Sequence, residues 1–549
     1  MASANAPVNR GELFVRKATG LVRSWSLFDA FIYATFSINL ITLGLYIFSF
    51  TYTIPASNLV AAIVISALFV LFEVVVYGAM IAIMPRTGAD YVWQSRIFGG
   101  AVGFILAVTG WWFILWYWIP LYAQIMVYEV LAPVLGILGL RDLALWFSSD
   151  NTGLFLACLI VIGFVTLYVA IGLRTYARIQ KICFYGGMVG LLIVIGLLLS
   201  TTPERFAPIF DQAATTMWGA PANAYQNTLS VGGLTADTLP PLTQIPLLPT
   251  LLLIPYVVFF NLWPNWGATL YGEVKGASDF RRNMYSMGGA LVVTTILALI
   301  LLAAIAKGIG WDFYHAANAA FWNKAYDTTS ALPAPPLPIF PYPVMLISYL
   351  VGSPVLQLGI VLLISLWFWG WAGTVFLSST RVIFAAAFDR ILPERVAEVD
   401  PRFRTPVYAL LLMTIPSIIV SALWAYLPIF RTLILDATLV IAVTYLGTAL
   451  AATFLPYIKP DLYRASPIAK YRIAGLPMLT VVGAIFSLFL LFNLFLWFRD
   501  AIYGVNNSTS LLFMGAMYLL AIIIYVVARA VRRRNGIDLS LVYKEIPVD

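Results

Sequence analysis

Charged side chains are scarce in this chain of 549 residues. Asp, Glu, Lys and Arg together make up 10% of it, whereas 62% of its residues are hydrophobic. Soluble domains carry about a quarter charged residues, so the composition excludes a chain built of soluble domains. A mean hydropathy of +0.91 predicts instead a polytopic membrane protein, whose length is spent on membrane spans and short loops.

Histidine and cysteine are almost absent as well. The single histidine, His315, falls in a predicted loop, and the two cysteines, Cys158 and Cys183, fall in separate apolar segments. Such a set is too small for a histidine- or cysteine-based metal site, so we expect neither a metal nor a cofactor. No paired catalytic residues stand out in the apolar segments, which argues against an enzyme.

Twelve apolar stretches are long enough to cross a bilayer, which takes about 20 residues in a helix. These predicted spans are Ser24–Phe50, Leu59–Met84, Gly100–Val130, Leu154–Ile171, Gln180–Leu199, Leu251–Tyr271, Met284–Ala306, Val355–Phe388, Pro406–Tyr426, Thr432–Tyr457, Leu476–Phe498 and Leu511–Ala530. Residues 201–250 are expected to form an exterior loop, to which we assign no fold. The short apolar run Leu346–Val351 cannot span and is expected to pack on the outer face.

Positive charge predicts the orientation of these spans. With both termini inside, only six of the 32 lysines and arginines fall on the outer side, namely Arg141, Arg205, Lys307, Lys324, Arg431 and Arg499. This asymmetry is what the positive-inside rule requires, so both termini are expected in the cytoplasm of a cell whose plasma membrane holds the protein. The basic C-terminal run Arg532–Arg534 then flanks the membrane and needs no nucleic-acid partner.

One stretch, Leu251–Arg282, combines an apolar helix with a patch that disfavours helix. The patch Asn261–Gly267 contains Pro264, which has no N–H to donate and crowds the preceding turn. Inside a membrane, freed backbone groups persist only where protein or a water-filled cavity satisfies them. A helix broken at membrane depth is typical of transporter binding sites, and a proline kink packed against its neighbours is the alternative.

Four stretches follow one another along the chain as YGAMIAIMPRTGADYVWQSRIFGGAVGF (Tyr77–Phe104), GEVKGASDFRRN (Gly272–Asn283), SSTRVIFAAAFDRILPERVAEVDPRFRTPVYALLL (Ser378–Leu412) and KPDLYRASPIAKYRIAGLPMLTVVG (Lys459–Gly483). In this order they resemble segments of the amino acid–polyamine–organocation (APC) superfamily of transporters. The corresponding family segments join helices two and three, end helix six, join helices eight and nine, and join helices ten and eleven.

The resemblance implies an all-α polytopic membrane protein with a 5+5 inverted repeat of the leucine-transporter type. Residues 24–200 and 251–457 would be the two five-helix repeats, and 458–530 would add two extra helices. Residues 1–23 and 531–549 would be cytoplasmic tails. Helices one and six would be broken around a site at the middle of the membrane.

The resemblance also implies which residues line the site. In the family, the breaks in helices one and six hold the carboxylate and the amine of the substrate. The first break corresponds here to Leu40–Thr42, where the family's glycines are missing. Side chains are therefore the candidate donors, and the candidate substrate-binding residues are Ser37, Asn39, Thr42, Phe259, Asn261, Trp263, Asn265 and Trp371. For each polar side chain, a hydrogen bond within its own helix or to a neighbouring one is the alternative.

The tryptophans are clustered, and most of them are expected in the interfacial belt. Nine of the 17 tryptophans fall in the ranges Trp111–Trp118, Trp263–Trp266 and Trp367–Trp371, and only Trp263 and Trp371 are retained as pocket candidates. Coupling residues of the family are missing, because its lysine position is Gly187 here and its hydroxyl positions are Gly370 and Trp371. Glu73, near the middle of the second span, is the candidate proton carrier, because a carboxylate there is costly; a buried carboxyl that serves packing is the alternative.

The function implied by the resemblance is secondary transport of amino acids or related organic amines. The expected partners are a small-molecule substrate, the lipid bilayer and, if Glu73 carries them, protons. Two alternatives stay open at this stage. A channel is disfavoured because no filter-like motif appears. A receptor or scaffold subunit with a vestigial transporter fold is favoured only by the missing glycines.

Overall fold

The computed structural model describes residues 21, 23–234, 239–326, 333–544 and 546. Most of the predicted N-terminal tail, 1–23, lies outside these residues. The described chain is almost wholly helical, and its one sheet is a two-stranded antiparallel hairpin, Arg472–Ile473 with Leu476–Pro477. Among the described residues, twelve helices are long and apolar enough to cross a membrane. The prediction of an all-α polytopic membrane protein is confirmed.

The twelve spans are numbered here in chain order. They are Leu27–Thr53, Leu59–Ile83, Trp118–Ile137, Asn151–Ala170, Leu173–Ser200, Leu247–Glu273, Phe280–Ala325, Pro354–Phe388, Val407–Tyr426, Asp436–Ile458, Met478–Arg499 and Ser508–Arg534. The shorter apolar helix Gly100–Trp116 leads into span 3. Span 7 continues past its α-helix, Phe280–Ile305, through a π-helical turn into a further helix, Trp311–Tyr326.

Polar residues mark the starts of several spans. Ser26 Oγ accepts a hydrogen bond from the Asp29 N–H, and the Asp29 carboxylate accepts one from the Ser26 N–H, which together form a capping box. Asn58, Asp279 and Asn507 accept backbone N–H bonds at the starts of spans 2, 7 and 12. Each cap satisfies helix N–H groups that have no partner within the helix, typically worth about 1 kcal/mol.

The bundle has an inner and an outer layer. Span 1 is the most enclosed, with 94% of its most apolar stretch buried, against 17% for span 12. Spans 1, 3, 6, 8 and 10 therefore form the centre. Close contact between spans 1 and 8 depends on Gly370, where a Cβ atom would lie 2.4 Å from the ring of Phe36.

Three segments without an assigned helix turn out to be helical. The predicted exterior loop, 201–250, contains the helices Pro203–Trp218 and Ala224–Gly232. His315, expected in a loop, lies buried in the helix Trp311–Tyr326. The run Leu346–Val351 belongs in part to the helix Pro343–Ser348, whose residues are all buried, so this segment packs inside the protein rather than along its surface.

Candidate functional site

Span 1 is broken close to its middle. Its first α-helix, Leu27–Ile38, ends at Asn39, which adopts left-handed backbone angles (φ 47°, ψ 85°). A π-helical turn, Leu40–Gly44, follows. The predicted break is therefore present and begins one residue before the predicted position. Left-handed geometry favours glycine, and asparagine is among the few other residues that adopt it readily.

The side chain of Asn39 holds this break in place. Its Oδ1 accepts a hydrogen bond from the Thr42 N–H at 3.0 Å, and its Nδ2 donates to the Trp367 carbonyl of span 8 at 3.2 Å. Asn39 thus caps the second half of span 1 and fastens it to span 8. Ser37 donates to the Tyr33 carbonyl of its own helix at 2.8 Å. In this structure both side chains bond to the protein backbone, and their contact with a substrate stays a prediction.

Span 6 is broken where the sequence places Pro264. The α-helix Leu247–Asn261 stops there, and after a short turn the chain resumes as a 3₁₀-helix, Trp266–Glu273. Trp263 donates its indole N–H to the Phe259 carbonyl at 2.7 Å, which satisfies one of the carbonyls that the interruption frees. The predicted break in the sixth helix is confirmed.

Two asparagines at this break are buried with unused hydrogen-bonding capacity. Asn261 Oδ1 accepts from the Ser66 hydroxyl of span 2 at 2.9 Å, but its Nδ2 has no partner among the described residues. Both amide atoms of Asn265 also lack a hydrogen bond there, although Tyr445 of span 10 lies beside it. Leaving a buried polar group unpaired costs about 1–3 kcal/mol. These amides are therefore suited to a polar ligand.

An aromatic wall covers the broken part of span 6. Trp118 of span 3 stacks on Trp266 at 5.4 Å with an interplanar angle of 6°, and it meets Trp263 edge-on at 5.3 Å. Phe259 completes the wall, 6.0 Å from Trp118. On the neighbouring side, Trp371 of span 8 stacks on Tyr122 of span 3.

The prediction that most clustered tryptophans lie in the interfacial belt is wrong. Trp111, Trp118, Trp266, Trp367 and Trp371 are all buried. Rings such as Trp111, whose centroid lies 4.5 Å from that of Trp266, cover the interrupted helix instead. An indole suits this place because its face packs against apolar neighbours while its N–H bonds a buried acceptor.

Sequence reasoning missed a buried carboxyl in span 3. Glu129 lies in a π-helical turn, Val127–Leu131, and is 2% exposed. The Thr42 hydroxyl lies beside this carboxyl, yet within the described chain neither Thr42 Oγ1 nor Glu129 Oε1 makes a hydrogen bond of acceptable geometry. Glu129 was overlooked because the predicted span ended at Val130, whereas the helix continues to Ile137.

A second acidic residue, Asp90, lies near Glu73 of span 2. Glu73 is fully buried, and neither of its carboxylate oxygens has a partner among the described residues. Asp90, in the helix Ala89–Ile97 that follows span 2, lies close enough to interact with it electrostatically. The Asp90 carboxylate accepts hydrogen bonds from Tyr77 (2.6 Å), Thr448 (2.6 Å) and the indole of Trp111 (3.0 Å).

The pKa of the Asp90 carboxyl is shifted from its ordinary value. Burial raises the pKa of Asp90 to about 6, although its three hydrogen bonds work in the opposite direction. Because Trp111 contacts Trp266, Asp90 joins Glu73 to the aromatic wall over span 6. Asp90 could not be singled out from its local pattern, since it lies in a predicted loop between spans.

Gly187 stands at the position that corresponds to the family's coupling lysine. The space beside it is occupied by Trp367 of span 8. A Cβ atom there would lie 2.9 Å from Trp367, whose indole N–H donates to the Gly187 carbonyl at 3.0 Å. There is no room for a lysine side chain at this contact. In the part of the chain that the structure describes, no group of three or more His, Cys, Asp or Glu side chains could hold a metal ion.

The bundle is closed on both sides of the breaks. One side, called the charged end, holds two buried ion pairs, Arg381 with Glu273 (2.8 and 3.2 Å) and Arg96 with Asp389 (2.9 Å). Here the Ser24 and Trp25 N–H groups also donate to the Glu273 carbonyl, which joins the start of span 1 to the end of span 6.

The other side, called the aromatic end, is covered by the helix Trp311–Tyr326. Phe50 of span 1 stacks on Trp322 of this helix at 4.5 Å, and the Trp322 indole donates to the Ser49 hydroxyl at 2.8 Å. Tyr128 of span 3 stacks on Phe340 beside them at 5.2 Å. The polar residues at the two breaks are consequently shut off from solvent in both directions.

A family model described as an amino acid permease matches residues 26–528. The match begins at the cap of span 1 and ends within span 12, so it includes both broken spans and every candidate residue named above. No curated protein matches the chain at a significant level.

Proposed function

We propose, from the premise that the chain belongs to the amino acid permease family, that it is a secondary transporter working by alternating access. The family and the twelve apolar helices make it a multi-pass membrane transporter of amino acids or related compounds, rather than an enzyme. The observation that carries the finer proposal is the pair of facing breaks. Gly44 and Phe260, on the two broken spans, approach so closely that a Cβ atom at Gly44 would lie 3.2 Å from the Phe260 ring.

The proposed site lies between the two breaks and the aromatic wall. Among the described residues, Asn261 Nδ2, both amide atoms of Asn265 and the Thr42 hydroxyl have no hydrogen-bond partner, and Phe259 and Trp263 supply apolar surface. Ser37, Asn39 and Trp371 border the same space as structural supports of spans 1 and 8. The division into repeats at 24–200 and 251–457 belongs to this proposal, because rocking of such repeats would expose the site alternately.

Uptake into proteoliposomes tests the proposal. Purified protein should take up at least one member of a panel of labelled amino acids and organic amines, with saturable kinetics. Phe259→Ala should raise the KM because it removes an aromatic wall, whereas Phe495→Ala, at a position 58% exposed on span 11, is the matched control. Flux that never saturates would favour a channel. Folded protein that moves none of the panel would favour the receptor or scaffold alternative.

Proton coupling through Glu73 is part of the proposal. It is supported by the burial of this carboxyl without a hydrogen-bond partner and by its closeness to Asp90. Glu73→Gln should abolish uphill uptake driven by a pH gradient but preserve exchange of internal for external substrate. The exposed Glu394→Gln is the control. If the Glu73 variant still concentrates substrate under a pH gradient, another group carries the proton or transport is not proton-coupled.

The charged end is proposed to face the cytoplasm, with the protein in the plasma membrane and both termini inside. The support is the distribution of lysine and arginine in the sequence. Single cysteines at Ser278 and Asn506, in a background without Cys158 and Cys183, test which side of the membrane each position faces. In intact cells an impermeant thiol reagent should reach only position 506. Labelling at position 278 would reverse the proposed orientation.

A further inference from the structure

We propose that Glu129 and Thr42 form a subsite for a second, positively charged group of the substrate, so that the preferred substrates are elongated cationic amines such as basic amino acids or linear diamines. The inference rests on the proposed transport function. It concerns two side chains that lie together where span 3 passes the break in span 1. Neither of them is needed to hold that break, because Asn39 already caps it.

Among the described residues, the Glu129 carboxyl forms no ion pair. The ion pairs found in the described residues leave it out, since they join Arg96 with Asp389, Lys181 with Asp29, Arg381 with Glu273 and Arg464 with Asp461. Arg431, which acts electrostatically on the adjacent Tyr128, directs its guanidinium to the Trp424 and Ala425 carbonyls and to the Asn151 side chain. The carboxyl is nonetheless 2% exposed.

The charged form of such a group needs a compensating cation. A carboxylate buried without a cation or a full set of hydrogen bonds is strongly destabilised. Glu129 has the Thr42 hydroxyl beside it, without a hydrogen bond of acceptable geometry, and Tyr342 near enough to interact electrostatically. A bound ammonium group would supply the missing charge and could donate to both the carboxylate and the hydroxyl.

The surroundings suit an alkyl ammonium rather than a small hydrated ion. Tyr342 lies near enough to the carboxyl to interact with it electrostatically, so an aromatic ring borders the carboxyl. Aromatic faces attract cations and also pack against methylene groups. A π-helical turn such as Val127–Leu131 is itself frequent at functional positions in helices.

The subsite is continuous with the proposed site through one face of span 3. Trp118 and Tyr122 are four residues apart, which places them on one side of the α-helix Trp118–Met126, and Glu129 follows in the next, π-helical turn. Trp118 contacts the break in span 6, Tyr122 contacts Trp371, and Glu129 lies against Thr42. Glu129 is about 10 Å along the helix axis from Tyr122. A ligand with polar groups at both ends can therefore reach from the aromatic wall to the carboxyl.

Selectivity of uptake in proteoliposomes tests this inference. Wild-type protein should prefer lysine and cadaverine to leucine and glutamate, measured side by side at one pH. Glu129→Gln keeps the size of the side chain but removes its charge. It should weaken apparent affinity for lysine roughly 10- to 100-fold, as expected for a lost hydrogen bond to a charged group, while leucine uptake changes less than about twofold. Glu129→Asp should restore part of the preference, and the exposed Glu394→Gln should change nothing.

The outcomes separate this inference from the transport proposal. If wild-type protein carries leucine as well as it carries lysine, the subsite is overturned and transport stands, whether or not the variant folds. Equal loss of all substrates in Glu129→Gln would make the residue a proton carrier or a structural group, which also overturns it. If wild-type protein transports none of the four compounds but binds cadaverine, with an affinity that Glu129→Gln abolishes, the subsite stands and transport fails. Absence of both uptake and binding overturns both.

Discussion

The charged end and the aromatic end close the same bundle with different chemistry. At the charged end, Arg381 and Glu273 form a two-point ion pair that is 0% and 2% exposed, and Arg96 and Asp389 form a second. At the aromatic end, rings such as Phe50 and Trp322 stack face to face. None of the four ion pairs found in the described residues lies at the aromatic end.

This difference predicts how each end opens. A buried ion pair depends on direction and distance, and each partner is costly if the other leaves, but water repays much of that cost once the pair separates into solvent. Stacked rings have weaker directional demands, and their separation costs free energy in proportion to the apolar area exposed. The charged end should therefore open in a single step, when its ion pairs separate. The closure of the aromatic end should instead depend on the size of its rings.

The largest effect is expected from breaking one ion pair. Arg381→Ala leaves Glu273 buried without its cation, which should lower the free energy of unfolding by about 3–5 kcal/mol. Replacing both residues, as Glu273→Leu with Arg381→Met, should recover much of that loss because no charge is left unpaired. Thermal unfolding of the detergent-solubilised protein measures both variants. Equal destabilisation by the single and double variants would mean that the charge itself is unimportant.

A somewhat smaller effect is expected at the aromatic end. Trp322→Ala should destabilise the protein by about 3 kcal/mol, the low end of the usual range for such truncations, because solvent can fill the space from the nearby surface. It should also make a cysteine at Ser49 reactive, since that buried hydroxyl accepts the Trp322 N–H. A cysteine at the buried Ser379, near the charged end, is the control. Similar reactivity at both positions would contradict the separation of the two ends.

The region between the two ends, where Asp90 lies beside Trp111, should differ from the aromatic end in its response to pH. Burial raises the pKa of Asp90 to about 6 from an ordinary value of 3.8. The folded protein therefore binds a proton that the unfolded chain releases, and this contribution is fully present below about pH 4 and lost as pH rises through 6. The loss should amount to roughly 2–3 kcal/mol.

Thermal midpoints measured between pH 4 and 7 test this dependence. Asp90→Asn should flatten the profile, and the comparison is best made in a Glu73→Gln background, because Glu73 interacts with Asp90. The destabilisation caused by Trp322→Ala should stay constant over the same pH range. An unchanged slope in Asp90→Asn would assign the titration to another group.

The spans and the break in span 6 were predictable from sequence because their causes are local. Apolar length marks a membrane helix, and Pro264 removes an N–H wherever it stands. The positions of the tryptophans were not predictable in this way. Lipid and protein interior both accept apolar side chains, so Trp111 and Trp266 carry no local sign that they face each other across two spans.

Glu129 and Asp90 were missed for related reasons. The predicted end of span 3 at Val130 made Glu129 look like a residue at the membrane surface, although its helix runs on for two turns. Asp90 has partners on three separate elements, Tyr77, Trp111 and Thr448. A contact such as that with Thr448, 358 positions away, depends on packing, which the local pattern does not contain.

The smallest effect is expected at Asn39, the joint between the two ends. Asn39→Ala loses the bonds to the Thr42 N–H and the Trp367 carbonyl and also places a less tolerant residue at φ 47°. Loss of the cap costs about 1 kcal/mol and the left-handed geometry about 1 kcal/mol more, so a total near 2 kcal/mol is expected. Asn39→Gly loses the same bonds but adopts the geometry freely, and it should cost less than about 1 kcal/mol. Asn493→Ala is the matched control, because Asn493 is buried and its side-chain amide donates to the Phe489 carbonyl of its own helix. Thermal unfolding ranks the three variants. If glycine and alanine at position 39 are equally damaging, the left-handed turn is not what the asparagine supplies, and its bond to span 8 becomes the main reason for its presence.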